Sequence, residues 1–403
     1  MLDSELEQHQ KKNLKQQELP ENQTQELSVE KSTIVITHNT SKYLLMHYRH
    51  LLVDLNRRYD RVVCVTPKDG HEQGFAKLSI EHRPISMRQH GMNPLTELWL
   101  VIQLLKIYRE LKPSKVLNFS IKPCLYGGAA ARLAKVPKAG YMVTGLGYIF
   151  LTETPKAALI RRMAVKWYTK ILRSNDEVFF QNKDDEKLFS DLGITRLANV
   201  HILPGTGVDL NEFKSIGSIP DISRDKPIKF LFIGRMLRDK GLYELVEACK
   251  ILKEKKWNFE CDLLGPLDSN PSAIKRKEID AWQKQGFIRY LGETHDVRPY
   301  IEKSHVFVLP SYREGLPRAG LEVMAMGRPV IATDVPGCRE IVRNGKNGVL
   351  VPVKHPMHLA KAMKSFIADE SKVSEMGEQS RQICEEFFTV EKVSAIVRSA
   401  MDH

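Results

Sequence analysis

Two carboxylates, Glu314 and Glu322, bracket a strand-to-helix turn in the stretch Ser311-Tyr-Arg-Glu-Gly-Leu-Pro-Arg-Ala-Gly-Leu-Glu322. The apolar run at 306–310 reads as a buried strand and residues 316–326 read as a helix, so Glu314 falls on the turn and Glu322 in the helix's early turns. The Gly315-Leu316-Pro317 bend between them aims backbone N–H groups outward at the positive helix end, which favours an anion. An ordinary βα unit with one surface Glu and one helix-face Glu has the same pattern. A second constellation, Gly234-Arg235-Met-Leu-Arg-Asp-Lys240-Gly241, follows another strand. Gly234 lets a ligand approach the backbone, while Arg235 and Lys240 offer a planar guanidinium fork and a mobile ammonium around one loop, which suits a pair of phosphates. Two solvated basic residues at a helix start are the plain alternative, but cations there oppose the helix dipole and call for an anion nearby.

Other chemistries lack candidates. There is no Asp-x-Asp, no His-x-x-x-His and no cysteine cluster, so no metal or other cofactor is expected. The acidic run Asp184-Asp-Glu186 is explained by the first turn of a helix. No G-x-x-x-x-G-K-[ST] loop occurs, and Gly-x-Gly at 145–147 and 205–207 is too short for a dinucleotide fingerprint.

Such loops need a scaffold whose strands end at them. A chain of 403 residues exceeds a single core and implies two domains. Short strand-like runs at 33–37, 61–66, 115–120, 138–144, 177–180 and 200–203 alternate with helical stretches such as 42–57, 94–111, 129–134 and 155–173. Beyond a Gly- and Pro-bearing stretch the alternation restarts, with strands at 228–233, 259–264, 288–291, 306–310, 329–333 and 348–351. This is the pattern of α/β proteins with parallel, doubly wound sheets, and two such domains facing one another leave a ligand cleft at the carboxyl ends of the strands. The expected organisation is a disordered, Gln- and Glu-rich leader over 1–30, a first domain over 31–212, a linker over 213–228, a second domain over 229–385 and a C-terminal helix over 386–403 that packs back on the first domain.

The six cysteines are scattered among apolar neighbours and read as small buried hydrophobes of a reducing compartment. No apolar run approaches the ~18 residues of a membrane span, and the greasiest stretch, 98–105, reads as a buried helix. The hydrophilic N-terminus carries no secretory signal, which points to the cytosol. A net charge of +12, despite an acidic leader, asks for an anionic partner. The basic residues form neither an RNP-like strand nor a recognition-helix pattern, so nucleic acid is not the expected partner. They concentrate instead in 156–173, where Lys156, Arg161, Arg162, Lys166, Lys170 and Arg173 interleave with Leu159, Met163, Trp167 and Tyr168. That segment suits an anionic bilayer surface, and a packed helix with a solvated basic face is its plain alternative.

At this point the residues resemble the retaining glycosyltransferases of the GT-B fold, family 4 of the glycosyltransferase classification. The resemblance rests on Phe232-Ile-Gly-Arg235 through Lys240-Gly241, Tyr290-Leu291-Gly292, the Glu314-x7-Glu322 pair, and Pro329-Val-Ile-Ala-Thr-Asp334 through Gly337 and Glu340. In the first half, Ile121-Lys122-Pro123 with Tyr126-Gly-Gly128, Thr144-Gly145-Leu-Gly147-Tyr148, Phe180-Gln-Asn182 and Pro204-Gly-Thr-Gly-Val-Asp209 are similar to a subgroup that assembles capsule, O-antigen and lipid-linked glycans. It implies a GT-B fold of two Rossmann-like domains around a central cleft. It also implies a nucleotide-sugar donor, UDP-linked, a polyprenyl-diphosphate-linked acceptor, and work at the cytoplasmic face of the inner membrane. Arg235 and Lys240 would hold the donor diphosphate and neutralise the leaving group. Glu322 would bind the ribose hydroxyls and Glu314 the donor sugar, with Gly234, Gly315, Leu316 and Leu291 lining the donor. Asn39, Lys122, Gly145 and Gly147 would lie on the side of the first domain. A transferred sugar is expected to keep its anomeric configuration, without metal. Two places depart from the family's pattern: Ser120-Ile-Lys-Pro123 has no His where many relatives carry one, and His38-Asn-Thr-Ser41 replaces the usual Gly-Gly loop. A soluble small-molecule acceptor, or a basic nucleic-acid-binding protein on the same scaffold, are the competing readings.

Overall fold

The computed structural model describes residues 30–88, 93–146, 150, 154–215, 220–222, 226–268, 270 and 272–402. The expected leader lies outside these residues but for Glu30, as do Gly147 and parts of the expected linker.

Seven parallel strands make the first sheet: β1 (Glu30–Thr37), β2 (Tyr59–Thr66), β3 (Glu81–Pro84), β4 (Lys115–Phe119), β5 (Lys138–Val143), β6 (Glu177–Phe180) and β7 (Asn199–Ile202), in the order β3-β2-β1-β4-β5-β6-β7. Six parallel strands make the second: β8 (Ile228–Ile233), β9 (Phe259–Leu264), β10 (Arg289–Gly292), β11 (Val306–Leu309), β12 (Val330–Thr333) and β13 (Gly348–Val351), in the order β10-β9-β8-β11-β12-β13. Helices cover both faces, which is why β4, β5, β6, β11 and β12 are buried along their whole length and read as continuous apolar runs. In each sheet the strand order reverses beside the first strand, between β1 and β4 and between β8 and β11. Connections leave those neighbours on opposite faces, opening a crevice at their carboxyl ends.

The structure corrects several sequence expectations. Strand β3 is missed because Glu-His-Arg-Pro has no apolar alternation; it is a half-exposed edge strand, tied to β2 by the Arg61–Glu81 ion pair at 2.7 Å. The helix expected over 42–57 is two helices, Ser41–His47 and Arg49–Arg58, with Tyr48 between them at φ −125° and ψ 19°. The helix after Glu314 spans Arg318–Ala325 rather than starting at 316, since a residue before proline is pushed out of helical conformation and Pro317 is the cap. The Gly315 and Leu316 amides therefore precede the helix. The stretch 98–105 is not buried all round: the helix Pro94–Leu111 packs Leu100, Val101, Leu104, Tyr108 and Leu111 inward and leaves Leu95, Leu98, Trp99 and Ile102 exposed.

The final helix, Val390–Asp402, follows the second sheet but packs on the first domain against Arg49–Arg58. Val393, Val397, Ala400 and Met401 join that domain's core, and Arg58–Asp402 (2.6 Å), Arg398–Asp54 (3.2 Å) and Lys138 Nζ donating to Ala400 O (2.7 Å) fix the contact.

Candidate active site

The adjacency of β8 and β11 decides the site. The loop leaving β8 carries Gly234, Arg235 and Lys240; the loop leaving β11 carries Glu314. Gly241 sits at φ +69°, where an added Cβ would lie 2.0 Å from Pro310 O, so only glycine lets the first loop lie on the end of β11. The Tyr312 amide donates to Asp239 O at 2.9 Å and closes this contact. Lys240 Nζ consequently reaches Glu314 Oε1 at 2.5 Å, with both side chains mostly buried. A third loop, after β12, supports the Glu314 turn from behind: Glu314 N donates to Pro336 O at 3.3 Å, and Gly337 (φ +80°) has no room for a Cβ beside Gly315 O and Glu314 O.

Arg235 lies on the same rim, more exposed, with Nη1 3.0 Å from Asp268 Oδ2. The strand ends beside it are laced together, Gly234 N donating to Leu264 O and Gly265 N to Gly292 O; Leu291, half-buried, precedes Gly292 at the end of β10 and packs against the domain's core. Glu322 is buried on the helix Arg318–Ala325, and Arg318 Nε donates to its Oε1 at 2.6 Å. Burial raises the Glu322 carboxyl above the ordinary carboxylate range, against the pull of Arg318. Among the described residues, no group of three or more His, Cys, Asp or Glu is placed to hold a metal ion.

The other wall of the cleft comes from the first domain and presses on the 313–318 stretch at several points. Asn182 Nδ2 donates to Gly315 O at 2.9 Å, and a Cβ on Gly315 would lie 3.0 Å from Thr144 O and 3.1 Å from Gln181 Oε1. Leu316 covers Gly205 of the Pro204–Gly207 turn. Arg313 pairs with Asp185, and Arg339 approaches Asp184 at 3.5 Å. The acidic first turn at 184–186 thus does more than complement its own helix dipole, since two of its carboxylates reach across the cleft.

The first-domain candidates divide. Gly145 follows Thr144, which faces Gly315. Asn39 is half-buried beside His38, whose ring is packed 5.7 Å from Phe119, accepts from Thr40 N at 3.0 Å and is pushed down to about 4 by burial. Lys122 does not project freely: Nζ donates to Glu97 Oε1 at 2.6 Å and to Arg88 O at 3.0 Å. Its charge is committed to the helix Pro94–Leu111, so it is not a straightforward substitute for the missing His. Sequence reasoning did not single out Asp268, Arg313 or Arg318. Only Arg318 had a local signal, its i, i+4 spacing to Glu322.

Comparison with known proteins agrees with this arrangement. The profile of the family described as "Glycosyl transferases group 1" matches residues 219–383, and that described as "Glycosyl transferase 4-like" matches residues 33–182. The N,N'-diacetylbacillosaminyl-diphospho-undecaprenol alpha-1,3-N-acetylgalactosaminyltransferase of Campylobacter jejuni is 27% identical over 335 residues, covering 81% of this chain and 87% of that protein. The capsular polysaccharide biosynthesis glycosyltransferase CapM of Staphylococcus aureus is 23% identical over 351 residues, covering 84% and 88%. Among solved structures, a glycosyltransferase from Rickettsia africae superimposes with a TM-score of 0.75 at 19% identity, over 93% of this chain and 98% of that one. HepE of Anabaena in complex with UDP gives 0.73 at 18%, over 92% and 99%. With one family profile on each parallel-sheet domain and the same two-domain architecture in these structures, the chain belongs to the GT-B glycosyltransferases and is a hexosyltransferase-type enzyme.

Proposed function

We propose that this enzyme transfers a hexose or N-acetylhexosamine from a UDP-linked sugar to a polyprenyl-diphosphate-linked glycan, with retention of configuration and without metal. The observation that carries the reading is the pairing of Lys240 with Glu314, and Arg235 beside them, at the carboxyl ends of β8 and β11. Breaking the bond to C1 adds a further negative charge to a diphosphate that already carries two, and preorganised cations stabilise that charge where it develops. Arg235 and Lys240 bind the diphosphate, Glu314 orients the sugar through its hydroxyls, and Glu322 receives the ribose. Gly234, Gly315, Leu316 and Leu291 shape the pocket around the donor. In the transfer the bond from C1 to the diphosphate oxygen breaks, the acceptor oxygen bonds to C1 on the same face, and the acceptor's proton passes to a donor phosphate oxygen.

The Campylobacter relative, whose name specifies a diphospho-undecaprenol acceptor, and HepE, solved with UDP, support the acceptor and donor classes. Two features of the first domain favour a lipid-linked acceptor presented at an anionic membrane. A cavity of about 690 Å3 beside the ends of β2 and β3 combines apolar walls from Met87, Trp99 and Leu100 with the cations Lys68 and Arg88 and with Glu97, whose carboxylate is paired with Lys122. The helix Pro155–Ile171 turns Leu159, Arg162, Met163, Lys166, Trp167 and Lys170 to solvent and carries no acidic residue. No helix among the described residues is long and apolar enough to cross a membrane, so contact would be peripheral, at the cytoplasmic face.

The test is turnover of nucleotide sugars with a short-chain prenyl-diphosphate-linked acceptor in EDTA, reading product configuration by NMR. A product with the donor's anomeric configuration supports the reading. An inverted product, strict need for added divalent metal, or transfer to soluble sugars alone would overturn it.

A further inference from the structure

Arg318 makes two contacts that point to opposite domains. Its Nε donates to Glu322 Oε1 at 2.6 Å within the second domain. Its Nη1 crosses the cleft and donates to Met46 O at 2.7 Å and to His47 Nδ1 at 2.5 Å. Met46 O lies in the last turn of the helix Ser41–His47, where carbonyls lack intrahelical partners and the dipole favours a cation. The His47 ring is stacked on Tyr43, with centroids 5.5 Å apart and planes 9° from parallel. Burial, and then the charge of Arg318, push that imidazole down to about 3, so it remains a neutral acceptor. A guanidinium is planar and rigid, so these bonds fix the Glu322 carboxylate against the first domain; an ammonium, with all its donors on one atom, cannot span both partners in the same way.

We propose that Arg318 is a positioning residue that ties the nucleotide-holding carboxylate to the first domain, so that donor binding and apposition of the two domains are one event. The proposal rests on the reading that Glu322 receives the donor's ribose. Glu322 has little other help. Its carboxylate is buried, Arg318 is the cation that opposes the cost of that burial, Glu212 adds repulsion, and His47, uncharged, reaches it only through Arg318. Arg318 therefore keeps Glu322 ionised and aimed while linking it to the opposite wall.

A second cross-cleft pair supplies the control. Arg313 bridges to Asp185 from the same stretch, without contacting Glu322. Arg313→Gln loosens the domains and leaves the Glu322 carboxylate in place; Arg318→Gln removes both functions.

The experiment measures UDP binding by calorimetry across pH, together with fluorescence energy transfer between one label on each domain, for wild type, Arg318→Gln, Arg318→Lys, Arg313→Gln and Glu322→Gln of the full chain. Thermal melts identify any variant that fails to fold, and Arg318→Lys serves as the folded comparison for Arg318→Gln. Arg318→Gln is expected to weaken UDP binding on the order of tenfold to a hundredfold and abolish the UDP-dependent change in transfer. Its UDP affinity should also fall at a higher pH than that of wild type as the solution is acidified. Arg318→Lys should restore the pH profile in part but not the coupling, and Arg313→Gln should lower transfer without UDP and, through the linkage, weaken UDP binding by a smaller factor than Arg318→Gln while keeping the wild-type pH profile. The proposal is overturned if Arg318→Gln binds UDP as wild type does with the same pH profile, or if Arg313→Gln loses as much affinity as Arg318→Gln. Wild-type UDP binding by Glu322→Gln would instead remove the nucleotide assignment on which it rests.

Discussion

Lys240 Nζ and Glu314 Oε1 lie 2.5 Å apart although their residues are 74 positions apart in the chain. The two charges neutralise each other, and on the proposed reading a diphosphate would compete for the ammonium as the sugar takes up the carboxylate. Lys240→Met is expected to lower kcat by roughly 100- to 1000-fold, the usual effect of losing one preorganised charge-stabilising group. Glu314→Gln keeps the shape and should affect sugar selectivity and turnover more than UDP binding. Steady-state kinetics with UDP binding measured in parallel checks both; unchanged turnover in Lys240→Met would remove it from the leaving-group role.

Gly337 should be as important to activity as a residue that touches substrate. A Cβ there would lie 2.4 Å from Gly315 O and 2.7 Å from Glu314 O, on a backbone at φ +80°. Gly337→Ala must shift the Glu314 turn or unfold the loop, at a cost of about 1–3 kcal/mol. A folded Gly337→Ala enzyme with wild-type kcat would show that the turn tolerates displacement.

Arg235 is held by Asp268, so the two substitutions should act in opposite directions on the free cation. If Arg235 holds the donor diphosphate as proposed, Arg235→Ala should cost roughly 100-fold or more in kcat/KM. Asp268→Asn weakens the hold on the guanidinium and should change donor KM by less than about tenfold, with kcat largely kept. Equal loss in the two variants, read in the same assay, would mean that Asp268 itself contributes to the chemistry.

Acid should destabilise the fold through buried neutral histidines. His305 illustrates the mechanism: its Nδ1 accepts from Lys229 N at 2.9 Å, so its proton sits on Nε2 and is donated to Pro220 O at 3.1 Å. Burial pushes His305 and His38 down to about 4 from an ordinary value near 6.5. A depressed histidine binds fewer protons folded than unfolded, so its stabilisation is complete above about 6.5 and is lost as pH falls toward about 4. Denaturant midpoints measured across that window should decline with pH. His305→Gln should start lower by about 1–3 kcal/mol and decline less steeply; an unchanged slope would remove His305 from the acid response.

Membrane contact should depend on two helices of one layer. Pro94–Leu111 and Pro155–Ile171 both pack on the Pro123–Gly127 turn, and Tyr126 of that turn meets Trp167 edge-on at 6.0 Å. Flotation on anionic liposomes is expected to drop by tenfold or more in Arg162→Glu/Lys166→Glu/Lys170→Glu, and also in Leu98→Glu/Trp99→Glu, the former with strong salt dependence. Binding that is indifferent to both sets would place the lipid contact elsewhere.

The chain's periodicity by itself determined the two α/β halves, because a strand covered on both faces must be a short continuous apolar run and each crossover helix must follow it. It also placed Gly234, Arg235, Lys240, Glu314 and Glu322 at strand ends or on a helix start, where local composition suffices. What the sequence left open was which ends meet. The contact of Lys240 with Glu314 depends on β8 and β11 being neighbours, and strand order is set by how whole helices pack, not by any residue in either loop. Edge strand β3 was invisible because Glu-His-Arg-Pro, only half-buried, carries no apolar residue pattern, unlike the other edge strands. The outward apolar face of Pro94–Leu111 was hidden for the opposite reason, as a helix apolar on two faces does not announce which one is covered. Arg318 with Met46 and Arg313 with Asp185 are contacts between domains, each joining residues more than a hundred positions apart. Only the apposition of the two folded halves creates them, and they bring the paired-glutamate stretch against the first domain.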